Sequence, residues 1–177
     1  MEQYRKTPRA KFLDYEGGDY FITICTANRK HYFGEIYDGE MHLTPIGLFV
    51  TEQLTKASTF SFDIEIPLFV VMPNHIHAIV SIHGNMDLTL PAEQRSPNPA
   101  LRANETCQRH IPTLGRFISS LKGAVTKYAR SIDTEFSWQG RYHDHFIRGN
   151  HDGNNIAEYI INNISRWTED CFNDSKG

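Results

Sequence analysis

Alternating and fully apolar stretches of the chain predict four strands. Residues 19–27 combine aromatic and β-branched residues with a two-residue alternation, which is typical of a strand. The same criteria predict three further strands, over residues 62–71, 75–82 and 141–148. Between the first two strands, Gly34 and the pair Asp38-Gly39 predict a turn or short hairpin within residues 28–43.

Apolar residues at three- and four-residue steps predict three helices. The first begins near Thr44, with Pro45 at its first position, and runs to about Ala57. The second begins at Thr113 and the third begins with Asp152 as its cap. The second helix carries one continuous stripe: Leu114, Phe117, Ile118, Leu121, Val125, Tyr128 and Ile132.

The resulting order, β-α-β-β-α-β-α, predicts an α+β fold. Its first six elements match a ferredoxin-like core, with an antiparallel sheet and helices on one face, and a C-terminal helix follows. Residues 19–167 form the predicted domain. An N-terminal arm (1–18), a long mobile loop (84–111) and a polar tail (168–177) are predicted around it.

The composition is typical of one soluble domain and does not by itself indicate a ligand. The net charge is −3, but residues 33–70 carry −5 while residues 112–148 carry +3. This separation of charge is consistent with a weakly basic surface that binds a phosphate backbone, and equally with an ordinary mixed surface in contact with solvent. The three cysteines lie far apart, which favours reduced thiols in a cytoplasm. No apolar run or leader predicts a membrane span or a secretory signal.

Two histidines on the predicted strand 75–82 are candidate metal ligands. His75 and His77 are two residues apart, so both imidazoles lie on one face of the strand, while Ile76 and Ala78 point away. Two polar rings on an apolar strand require partners. Those partners are either an ion or ordinary hydrogen bonds, and the spacing alone leaves both open.

The last predicted helix supplies a second candidate group. Tyr159 and Asn163 are one turn apart and therefore share a face. A phenol can act as a nucleophile, and an amide oxygen suits a hard cation. A core tyrosine with a satisfied hydroxyl is the alternative. Tyr128 and Tyr142 are rival nucleophiles, and the pair His143 and His145 is a weaker second metal site.

Four blocks of the sequence resemble the single-strand tyrosine transposases of the HUH class, and among them the REP-associated tyrosine transposases. The block Met72-Pro73-Asn74-His75-Ile76-His77 resembles the HUH strand. The others are residues 21–29, 117–127 and, around the tyrosine, 138–163. The resemblance covers roughly residues 19–167.

This resemblance implies a function and a set of roles. Tyr159 corresponds to the nucleophile, and His75, His77 and Asn163 correspond to ligands of Mg²⁺ or Mn²⁺. The implied activity is cleavage and rejoining of single-stranded or hairpin DNA through a 5′-phosphotyrosine, in a cytoplasmic, nucleoid-associated protein, with a homodimer possible. Where many relatives have proline, this chain has Ile164. Candidate phosphate contacts are Arg116, Lys122, Lys127, Arg141 and Arg148.

Three other functions remain open from the sequence. One is a DNA-binding module of the same fold without cleavage activity. Another is a metal-dependent hydrolase of small molecules, which needs a general base near the metal; the strand 75–82 carries no Asp or Glu. The last is a protein-interaction domain.

Overall fold

The computed structural model describes residues 18–60, 64–83 and 113–173 of the chain. Within these ranges it contains six strands and three α-helices, and short 3₁₀ turns lie at Ala27–Arg29 and Trp167–Glu169. In chain order the elements are β1 (Gly18–Cys25), β2 (Gly34–Tyr37), β3 (Glu40–Leu43), α1 (Pro45–Phe60), β4 (Ile64–Val71), β5 (His75–Ile82), α2 (Thr113–Ala129), β6 (His143–Phe146) and α3 (Gly149–Ile161).

Four strands form the main sheet in the order β4-β5-β1-β6, and every neighbouring pair is antiparallel. Without the β2–β3 hairpin, the chain runs β1-α1-β4-β5-α2-β6. The two strands that follow helices, β4 and β6, lie at opposite edges, which is the split β-α-β arrangement. The prediction of an α+β, ferredoxin-like core is therefore confirmed.

The core lies on the sheet face covered by α1 and α2. Strand β1 buries Tyr20, Ile22 and Ile24 there, and the neighbouring β5 buries Ile76 and its alternate apolar residues. Helix α2 contributes the predicted stripe, but the stripe ends with the helix at Ala129. Ile132, predicted to extend the stripe, lies in the following turn with 52% of its surface exposed.

Alternation along β1 and β5 places polar residues on the opposite sheet face. Thr23 pairs with His77 and Cys25 pairs with His75 across the two strands. Because side chains directly across an antiparallel pair share a face, these four residues form one patch. This is the face that helix α3 covers, since Tyr159 contacts the ring of His77.

The predicted hairpin and the first helix follow from local chemistry. Asp38 and Gly39 both have positive φ, 54° and 77°, as the two-residue β2–β3 turn requires. Thr44 caps α1, because its Oγ1 accepts a hydrogen bond from the backbone N–H of Gly47.

The last helix begins and ends earlier than the pattern predicted. It starts at Gly149, so Asp152 lies within its first turn and accepts hydrogen bonds from the Arg148 backbone and the His145 ring. It ends at Ile161, so Asn163 lies in the turn that follows. Periodicity does not reveal that Asp152 accepts the N–H of the residue before the helix from inside the first turn rather than from the cap position.

Parts of the predicted organisation lie outside the described residues. These parts are the arm except Gly18, the long loop over 84–111, and the end of the tail after Asn173. Among the described helices, none combines the length and apolar character needed to cross a bilayer.

Candidate metal and nucleophile site

Strand β5 holds the two candidate histidines side by side. The ring centroids of His75 and His77 are 4.5 Å apart, and the residues are 0% and 2% exposed. Ile76 and Ala78 point into the core, as the alternation predicted. Two polar rings are therefore buried together on the sheet face opposite the core.

Neighbouring side chains orient both rings through their Nδ1 atoms. His75 Nδ1 lies 2.8 Å from Asn74 Oδ1, and His77 Nδ1 lies 2.9 Å from Thr23 Oγ1. Since an amide oxygen only accepts, the hydrogen of His75 belongs on Nδ1, which leaves a lone pair on Nε2. Partners of this kind orient the metal-binding histidines of many proteins.

Tyr159 completes the group from helix α3. Its hydroxyl lies within hydrogen-bond distance of His77 Nε2, at 3.2 Å, although the two residues are 82 positions apart. Its ring packs edge-on against Phe21 with centroids 6.1 Å apart. The tyrosine keeps 40% of its surface exposed, so its outer side is accessible to a large substrate.

The electrostatics of the site favour neutral groups. Burial lowers the pKa of His75 to about 2 and that of His77 to about 3, and nearby histidines and, for His75, Arg29 act in the same direction. Burial also raises the pKa of the Tyr159 phenol, while the adjacent Asn163 amide opposes this shift. Both imidazoles are therefore neutral near pH 7, which is the form that binds metals.

Two buried polar atoms at the site have no hydrogen-bond partner among the described residues: His75 Nε2 and Asn163 Oδ1. Asn163 is 2% exposed, and leaving such atoms unsatisfied costs about 1–3 kcal/mol each. A divalent cation accepts electron pairs from both an imidazole nitrogen and an amide oxygen. The donors present thus fit a metal ion.

The sequence interpretation missed a carboxylate at this site. A carboxylate oxygen of Asp170 and one ring nitrogen from each of His75 and His77 lie within 4.8 Å of one another. Asp170 falls in the predicted polar tail, where no periodic pattern marks a residue. Proximity to the histidines arises from chain folding after α3.

Two orienting residues were also missed, although the sequence contains a signal for each. Asn74 directly precedes the first histidine, and a polar side chain at that position can hydrogen-bond the ring. Thr23 is a polar residue on the alternate face of an apolar strand, the position from which it reaches His77.

The rival nucleophiles lie away from the histidines. Tyr128 stacks on Phe49 of α1 with ring centroids 4.2 Å apart, and Tyr142 packs against the core cluster. On β6, His143 and His145 are exposed, and His145 Nε2 lies 2.9 Å from Asp152 Oδ2.

The candidate phosphate-binding residues are spread over several elements. Three of them, Arg116, Lys122 and Lys127, belong to α2 on the core side of the sheet. Lys122 Nζ donates to the Gln139 carbonyl at 2.9 Å, so this amine supports the segment before β6. The other two, Arg141 and Arg148, are exposed on either side of β6.

Comparison with known proteins gives a relative of nearly full length. An uncharacterized protein of Haemophilus influenzae is 34% identical over 174 residues, covering 94% of this chain and 92% of the relative. The chain belongs to the same family as this relative. No family model matches the sequence.

A solved structure shares the fold. It is that of a REP-associated tyrosine transposase bound to a REP hairpin, with a TM-score of 0.51 and 20% sequence identity. The match covers 94% of this chain and 74% of that one. The resemblance to the REP-associated tyrosine transposases is therefore confirmed at the level of the fold.

Proposed function

We propose that this protein is a metal-dependent single-stranded DNA endonuclease and transposase that cleaves and rejoins DNA through a 5′-phosphotyrosine. One observation carries the proposal: a single chain brings the Tyr159 hydroxyl within 3.2 Å of His77 Nε2, beside the unsatisfied Nε2 of His75. A nucleophile and two metal-type ligands therefore meet at one point.

The proposed metal ligands are His75, His77 and Asn163, and the proposed ion is Mg²⁺ or Mn²⁺. When bound, such an ion polarises a phosphate and stabilises the charge that develops on it. The protein's part is to keep both imidazoles neutral by burial and to fix their Nδ1 atoms on Asn74 and Thr23. This leaves the lone pair of His75 Nε2 free for the ion, and His77 Nε2 would bind the ion in place of its contact with the Tyr159 hydroxyl.

Tyr159 is the proposed catalytic residue. Its oxygen forms a bond to the scissile phosphorus while the bond from phosphorus to the 3′-oxygen breaks. The phenolic proton is transferred, overall, to the departing 3′-oxygen. The downstream strand is then joined to Tyr159 through its 5′-phosphate, and the free 3′-hydroxyl can reverse the step on the same or another strand.

The proposed substrate is single-stranded DNA that contains a hairpin or palindromic repeat. The shared fold with a protein solved on a REP hairpin supports this choice. Arg116, Lys122, Lys127, Arg141 and Arg148 are the proposed DNA-binding residues, as basic side chains that neutralise phosphates.

A denaturing gel tests the chemistry with one hairpin oligonucleotide labelled at either end. With Mn²⁺, the 3′-labelled strand should migrate as a covalent protein adduct, and the 5′-labelled strand should appear as a shorter free fragment. Tyr159→Phe should abolish both products while native-gel binding stays within about twofold of wild type. The matched control Tyr128→Phe should form the adduct normally. An adduct that persists in Tyr159→Phe excludes Tyr159.

Asp170 favours a second candidate, a metal-dependent hydrolase, because it supplies the carboxylate that such an enzyme needs near the metal. The same gel separates the two functions. A metal-dependent hydrolase of small molecules would neither shift nor cut the hairpin, in wild type or in Tyr159→Phe. A DNA-binding module without cleavage activity would shift the hairpin in a native gel and leave it intact.

A further inference from the structure

Asp170 lies where a ligand of the proposed ion would be. The three donor atoms of Asp170, His75 and His77 lie within 4.8 Å of one another. Adjacent ligands of an octahedral ion with bonds of about 2.1 Å are about 3 Å apart. A side-chain adjustment of roughly 1–2 Å therefore closes the set around an ion.

The negative charge of Asp170 would help to compensate the charge of a divalent ion at this site. The imidazoles and the Asn163 amide are neutral, so these ligands leave both charges of a divalent ion uncompensated in a largely buried site. The guanidinium of Arg29, whose charge acts on His75, makes the site still less favourable for a cation. The negative charge of Asp170 offsets both effects.

The buried atoms without partners are an independent sign of a ligand. His75 Nε2 and Asn163 Oδ1 come from β5 and from the turn after α3, and neither receives a hydrogen bond from the described residues. An ion that bound both atoms would satisfy them.

The segment that carries Asp170 is attached to the histidine strand. We call residues 170–173 the C-terminal segment. Asn74, which orients His75 through Oδ1, also donates from Nδ2 to the Phe172 carbonyl at 2.8 Å. The Phe172 ring lies 4.5 Å from the His75 ring, and its N–H donates to Asp170 Oδ1 at 2.8 Å. A carboxylate keeps further acceptor capacity beyond this bond.

We propose that Asp170 is an additional ligand of the divalent ion, so that ion binding fixes the C-terminal segment against β5. The inference rests on the proposed function, because it concerns the same ion. By thermodynamic linkage, if ion binding favours the ordered form of the segment, the ordered segment raises the affinity for the ion by the same factor.

Calorimetry with MnCl₂ and DNA-free protein tests the ligand directly. Asp170→Asn keeps the acceptor for the Phe172 N–H but loses the negative charge. It should weaken Mn²⁺ binding by at least about tenfold, because removing even a residue that only orients a metal ligand typically lowers metal affinity by about that factor. Glu169→Gln, an exposed acid next to it, controls for loss of one negative charge and should bind Mn²⁺ within about twofold of wild type.

Hydrogen exchange tests whether Mn²⁺ binding orders the C-terminal segment, and its main result comes from the wild-type protein. Saturating Mn²⁺ should slow backbone exchange in residues 170–173 of the wild-type protein and leave exchange in the Asp170→Asn variant unchanged. Equal Mn²⁺ affinity in wild type and Asp170→Asn, or exchange that Mn²⁺ does not alter, overturns the inference.

The two proposals fail separately. If Asp170→Asn binds Mn²⁺ like wild type while Tyr159 still forms the adduct, the proposed function stands and the inference fails. If Mn²⁺ binding depends on Asp170 but no DNA adduct forms, the inference stands and the cleavage function fails.

Discussion

Acidification should destabilise the metal-free protein through its two buried histidines. Below their usual pKa of 6.5, both rings take up protons in the unfolded chain, but in the folded protein they stay neutral down to about pH 2 and 3. The unfolded state therefore binds more protons as the pH falls from 6.5 toward 3, and stability is lost over that window.

The size of this loss follows from the shifts. Between pH 7 and pH 5, each histidine should reduce the free energy of unfolding by about 2 kcal/mol, or about 4 kcal/mol for the pair. Urea unfolding in EDTA at the two pH values measures it. His77→Gln should lose about half of this pH dependence, whereas His151→Gln, which removes an exposed histidine of α3, should keep it.

Ring chemical shifts provide a second measurement that does not depend on variants. In NMR spectra of the metal-free protein with labelled histidines, the His75 and His77 rings should stay neutral at pH 5. A midpoint near pH 6.5 for either ring would refute the reasoning, since it would show that burial does not hold that imidazole neutral.

Three further predictions concern the scaffold and the orientation of the site. Gly47→Ala should lower the free energy of unfolding in urea by more than about 1 kcal/mol, because the new Cβ would overlap the Phe33 carbonyl. Gly123→Ala, in open space on α2, is the control and should leave this free energy unchanged or raise it by up to about 1 kcal/mol, since alanine favours helix. Phe136→Ala removes a fully buried ring and should cost about 3–5 kcal/mol, measured as a lower thermal midpoint. Thr23→Val keeps the size of the side chain but removes the partner of His77 Nδ1, and should weaken Mn²⁺ binding by about tenfold or more in calorimetry without a comparable loss of stability.

The periods of the sequence determined the order of elements and the direction of side chains within each one. A two-residue period puts His75 and His77 on one strand face whatever the rest of the chain does. The apolar stripe of α2 and the Asp38-Gly39 turn are local in the same sense, since backbone preferences over a few residues decide them. These features were therefore predictable before any tertiary contact was known.

Tertiary structure decided which of these faces meet. The approach of Tyr159 to His77 spans 82 positions and depends on how α3 crosses the sheet. Asn163 lies in the turn after the helix, where its amide interacts with the Tyr159 phenol, and Asp170 reaches the histidines from a segment with no periodic pattern. Local periods carry no information about such distant contacts, because packing of whole elements sets them. The sequence alone thus determined the pair of imidazoles, and only the folded chain brought the phenol, with the amide beside it, and the carboxylate to this pair.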